Sequence, residues 1–293
     1  MIRFFKFALA LAVAASAPAL AKKPEAPLKR EGRWLMDYAD STCHLSAAFG
    51  TGNDKIIARF SQAGPDEPFR LSLFGKRLYD GAAALTRAQI TFLPSNVQSE
   101  WRRGLNDSIS LSGGKLPALN VEGVRLDNLN ASGPDQRTLP AVTPEIEKSV
   151  HTLLVRRNAG SFALNLETMG PPMAAMRKCA DELVRQWGFD PQELKSRQSR
   201  AQPLNVRNWL DPRNYPKSLS NKNLAATVAF RLMIDATGTP TDCIVQEATS
   251  PPEVGPETCK MLMRTAKFQP ARDKDGTPVP DFFASRASWY MSL

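Results

Sequence analysis

Four cysteines, two histidines and a few glycine-rich turns are the residues with chemical potential in this chain. Cys43, Cys179, Cys243 and Cys259 contain no Cys-x-x-Cys pair, so a thioredoxin-like redox centre is not expected. No two of them have the close spacing of a zinc knuckle, and His44 beside Cys43 is a weak metal signal by itself. With only His44 and His151 available and no Gly-x-Ser-x-Gly elbow, a catalytic triad finds no support. Gly50-Thr51-Gly52 lacks the third glycine of a dinucleotide fingerprint. Gly113-Gly114-Lys115 lacks the first glycine of a phosphate loop and the Ser or Thr that follows its lysine. Both read as turns. The carboxylates are scattered, and no pair stands out for acid–base work. Asn106-Asp107-Ser108 and Asn130-Ala131-Ser132 match a glycosylation acceptor that matters only in a eukaryotic host. The expectation is a protein without cofactor or metal, in which the cysteines form disulfides.

The first 21 residues suggest the compartment. Arg3 and Lys6 precede an apolar run from Phe7 to Ala17, and Ala19-Leu20-Ala21 offers a small-x-small cleavage site. This predicts a secretory signal peptide. The run is shorter than the roughly 20 residues a bilayer span needs. No later stretch is long and apolar enough, so no membrane anchor is expected after cleavage. Residues 22–30 read as a flexible lead-in. The 293-residue chain carries a net charge of +9, which becomes +7 when Arg3 and Lys6 leave with the leader. That balance suits anionic envelope surfaces or acidic partner segments. The charges are spread along the chain rather than clustered among aromatics, so nucleic-acid binding is not expected.

The elements that position these residues fall into two units. From residue 31 to 189 short strands alternate with turns: Trp34–Tyr38, Lys55–Ser61, Phe69–Phe74, Gln89–Leu93 and, more weakly, Ser108–Leu111 and Gly123–Leu126. Thr143-Pro144-Glu145 opens a helix whose stripe is Ile146, Val150, Leu153 and Leu154, stopped by Gly160. A strand over Ser161–Leu166 follows. A second helix runs from Pro172 to Trp187, with Met176, Cys179, Ala180, Leu183 and Trp187 on its buried face. The expectation is a β-rich domain with two packed helices. Residues 190–213 are polar and read as a linker that lets two domains move.

Residues 214–293 carry the clearest pattern. Val228, Phe230, Leu232 and Ile234 alternate with Thr227, Ala229, Arg231 and Met233, a half-buried strand. Gly238 turns it back into a strand from about Asp242 to Ala248. Cys259, Leu262, Met263 and Ala266 form the stripe of a helix from about Pro256 to Ala266. A last strand runs from Phe282 to Met291. Cys243 shares strand parity with Val245 and Cys259 lies on the helical stripe, so these two should pair. Cys43 and Cys179 then both belong to the first domain. In an exported protein two disulfides are expected.

This region resembles the TonB C-terminal domain family. The resemblance rests on Tyr215-Pro216, Ile234-Asp235-Ala236-Thr237-Gly238, Phe268-Gln269-Pro270-Ala271 and Gly276-Thr277-Pro278-Val279, in that order. It implies a small β-β-α-β domain, and the whole chain is therefore expected to be α+β. Members of the family pair with short extended segments of outer-membrane receptors. The resemblance thus implies a non-catalytic periplasmic binding protein acting in transmembrane transport by strand addition. The edge from Phe282 to Tyr290 is the expected site. Short side chains at Ser285 and Ser288 leave its backbone accessible, while Phe283, Arg286 and Trp289 offer selectivity or, for the two aromatics, complete the core. The family's energy transducers carry an uncleaved membrane helix and a long Pro-rich spacer, for which Lys22–Arg30 is too short. That departure favours a second reading, a structural or interaction protein of the envelope without a transport role. An enzyme hidden in the first domain is the third.

Overall fold

The computed structural model describes residues 25–79, 85–111, 114–130, 139–210, 226–248 and 251–289. The expected leader (1–21) and the Tyr215-Pro216 entry lie outside them. The fold is α+β, as expected.

Nine antiparallel strands form the first sheet: β1 (Arg30–Tyr38), β2 (Cys43–Phe49), β3 (Ile56–Gln62), β4 (Phe69–Phe74), β5 (Leu85–Leu93), β6 (Trp101–Leu111), β7 (Gly114–Val124), β8 (Thr152–Arg157) and β9 (Gly160–Asn165). Their order is β1-β2-β3-β4-β7-β6-β5-β8-β9. The sheet curls until its ends meet. Leu28 N–H donates to Ala163 O at 2.7 Å, and Asn165 N–H donates to Leu28 O at 2.9 Å. Part of the expected lead-in is thus tied to β9.

The buried face of this sheet is legible in β2. Cys43, Leu45, Ala47 and Phe49 are buried while His44, Ser46 and Ala48 alternate outward. Phe60, Leu71, Phe92, Leu119 and Leu153 point the same way, inward. Helix α2 (Gly170–Gln186) lays Met173, Met176, Cys179, Ala180 and Leu183 on that core. The Cys43–Cys179 disulfide staples it to β2, with sequence separation 136.

The first helix is shorter than its pattern predicts. α1 covers only Pro144–Ser149, and Thr152–Arg157 is strand β8, paired with β5 and β9. Leu153 and Val155 are buried by a period of two, which over so few residues resembles a helical stripe.

The second sheet has the order β12-β11-β16, from β11 (Ala226–Ile234), β12 (Pro240–Ala248) and β16 (Asp281–Trp289), and the short strands β14 (Ala271–Arg272) and β15 (Pro278–Val279) pair with each other before β16. Helix α4 (Val254–Thr265) covers one face. Val254, Met261 and Leu262 meet Val228, Phe230 and Leu232 there. Met263, expected on this stripe, is instead exposed. Cys243 and Cys259 are bonded across the contact.

Residues 190–213, expected to be a linker, are folded over much of their length. α3 (Pro191–Ser196) is capped by Asp190, and β10 (Gln202–Leu204) pairs with β13 (Lys267–Gln269). Trp209 is buried in the second core, 5.1 Å from Phe268 between ring centroids. Among the described residues no helix is long and apolar enough to cross a membrane.

Candidate functional site

Strand β16 runs along one side of the second sheet and pairs only with β11 among the described residues. An edge of this kind leaves backbone N–H and C=O groups without ladder partners. Its register with β11 sets Leu232 against Phe283, Phe230 against Ser285, Ala229 against Arg286 and Val228 against Ala287. Phe283, Ala287 and Trp289 of β16 therefore face α4, and Phe282 and Arg286 face the first sheet.

Phe283 packs 5.2 Å from Phe268 and 5.7 Å from Trp209. The indole N–H of Trp289 donates to Thr258 Oγ1 at 2.9 Å. Both aromatic rings are buried in the second core and are not presented to a partner strand. Ser288 is exposed, and Ser285 is half-buried at the lip of a cleft.

The even-numbered face carries what the sequence did not announce. Phe282 is fully buried between the units, 5.1 Å from Trp187 and 5.5 Å from Phe189. Gly64 permits this approach, since a Cβ there would lie 2.8 Å from Phe282 Cζ. Asp281, the first residue of the strand, binds Arg197 and Arg200 at 3.0 Å each and accepts from Ala201 N–H at 2.8 Å. Arg231 lies 3.6 Å above the Trp187 ring, and burial lowers its pKa to about 10, partly opposed by Asp242.

Further along the same face two arginines and two glutamates close a ring across the units. Glu247 Oε2 meets Arg70 Nη1 and Arg286 Nη2 at 2.9 Å each. Glu122 Oε1 meets Arg286 Nε at 3.3 Å and Arg70 Nε at 3.8 Å. Burial alone would raise the Glu247 pKa; Arg70 and Arg286 outweigh it and hold the carboxyl at about 2.

The ring sits in a polar cleft of about 270 Å³ between the units, whose walls include His44, Ser61, Gln246 and Ser285. His44 Nδ1 and Ser61 Oγ are 2.8 Å apart, directly opposite on β2 and β3. Burial, and then Arg59, lower the His44 pKa, so the ring is neutral near pH 7. Its other nitrogen has no hydrogen bond among the described residues, so no acid orients the pair as in a triad. Among the described residues no group of three or more His, Cys, Asp or Glu is placed to hold a metal ion.

Residues 211–281 match the family described as Gram-negative bacterial TonB protein C-terminal. The match ends where β16 begins. Residues before 211 belong to no matched family. No curated protein matches the chain, and no solved structure does.

Proposed function

We propose that this is a TonB-like protein of the periplasm that holds an extended segment of an outer-membrane receptor by strand addition to β16, in support of transmembrane transport. The observation that carries this reading is the coincidence of the family match with an edge strand at its boundary. An edge strand binds a guest chiefly through main-chain hydrogen bonds, which need no particular side chain. Ser288, exposed on that strand, keeps the approach open.

A second reading is favoured by the ring of Arg70, Glu122, Arg286 and Glu247 and by Phe282. The TonB-like unit then serves as a structural module of the envelope, committed to the first domain. In-cell photo-crosslinking from position 288 separates the two. Adducts with the periplasmic N-terminal segment of an outer-membrane receptor support strand addition. Adducts only within the chain itself overturn it in favour of the structural module.

A further inference from the structure

The outer face of the first sheet carries a transverse row of polar residues. His44 pairs with Ser61, and Ser61 with Arg70. Arg70 reaches Glu122 on β7. The β6–β7 ladder begins with Gly104 opposite Val121, and Arg103 and Glu122 are the residues that flank that pair. Arg103 in turn lies opposite Arg87 on β5. One row thus crosses β2, β3, β4, β7, β6 and β5.

The second sheet lies over the first part of this row in the same sequence. On β12, Gln246 donates to Ser41 O at 2.9 Å and Glu247 reaches Arg70. On β16, Arg286 reaches Glu122. Stepping from β12 to β16 therefore steps from the β2 and β4 side of the row to β7. A strand added beyond β16 lies about 4.8 Å further on. In the first sheet β7 is followed by β6, then β5. Arg103 and Arg87 are exposed there, and neither makes an ion pair among the described residues. Like charges directly opposite on neighbouring strands repel, so this pair is poised for an anionic partner. Trp101, 42% exposed, stands two residues from Arg103 on the same face.

We infer that the first domain reads the strand added at β16, and that the strand it selects carries acidic side chains at alternate positions, facing Arg103 and Arg87. This rests on the strand-addition reading and adds to it the chemistry of the partner. The period of two of an extended chain sends every second guest residue toward the first domain. Arg103 and Arg87 select carboxylates there, and Trp101 offers an apolar surface to the guest residue two positions along. The exposed arginines set preference, and the backbone ladder supplies the base affinity.

The test uses the mature full-length chain and synthetic extended peptides of about ten residues, identical except for Glu, Gln or Lys at every second position. Fluorescence anisotropy should rank Glu over Gln by roughly tenfold, as expected of two exposed ion pairs. Lys should be weakest. Arg87→Glu with Arg103→Glu should reverse the order, with folding checked by circular dichroism. N-methylation of the ladder-forming amides should abolish binding of every peptide. If affinity ignores peptide charge but N-methylation still abolishes it, the selectivity is overturned while strand addition stands. If no peptide binds, or N-methylation has no effect, strand addition itself fails and the inference with it. Charge-independent peptide binding together with Arg87- and Arg103-dependent binding to anionic phospholipid vesicles also overturns it, as a membrane surface is then the partner of the arginines.

Discussion

Glu247 and Arg70 lie on strands of different sheets and meet at 2.9 Å. Arg70 is on the outward face of the first sheet, and Glu247 is on the face of the second sheet turned away from α4. Arg286 shares the same carboxylate oxygen of Glu247. The small sheet therefore has two covered faces, one by its own helix and one by the first domain.

This contact should depend on pH. The Glu247 pKa is about 2, below its ordinary 4.5, because Arg70 and Arg286 outweigh burial. A depressed carboxyl pKa stabilises the folded state fully above pH 4.5, and this contribution is lost as pH falls toward 2. Glu247→Gln should lower stability at pH 7 by roughly 0.5–1 kcal/mol, allowing for solvent exposure of the pair. Melting curves of the two proteins should converge as pH falls through about 2, and high salt should narrow the gap at neutral pH.

Phe282 should couple the two sheets more strongly than the ring does. Its side chain is fully buried against Trp187 and Phe189. Phe282→Ala should cost roughly 3–5 kcal/mol. In urea the wild type should unfold in one transition and the variant in two, as each domain then melts with its own disulfide and core.

The two disulfides should contribute unequally. Cys243–Cys259 spans a sequence separation of 16 and Cys43–Cys179 one of 136. Replacing the first pair by serine should cost about 3 kcal/mol and the second closer to 5 in the chain-entropy model. Denaturant unfolding of the two double variants gives the ranking directly.

Gly238 turns β11 into β12 with φ +83°, and a Cβ there would lie 2.0 Å from Phe268 O. Gly238→Ala combines left-handed strain with a backbone clash. It should destabilise the second domain by roughly 2–4 kcal/mol. Hydrogen exchange should rise first in β11 and β13, and protection in the first domain should change little.

Much of the second domain was legible because its signals are local. The alternation of Val228 to Ile234, the Gly238 turn and the position of Cys259 on α4 each need only a few neighbouring residues. Strand parity and the helical stripe were enough to pair Cys243 with Cys259. Strand β2 carries little local signal, since Ala47 and Ala48 are weak strand formers and only long-range pairing settles their state. Trp209 sits among arginines, asparagines and a proline that read as a linker, yet it packs on Phe268 and Phe283. A single aromatic in a polar stretch was the one available sign.

By itself the sequence determined which residues of each strand share a face, because the side-chain period of an extended chain is set by the backbone. It did not determine which face is covered. Phe283 and Trp289 alternate with Phe282 and Arg286 on β16, and sequence alone gives both sets equal claim to a partner. Only the tertiary structure decided between them, by laying α4 on one side and the first domain on the other. Nor does sequence announce the row from His44 to Arg87, since its six residues come from six strands joined by long-range pairing. That row exists only once these strands have paired, and it turns scattered positive charge into a surface with direction.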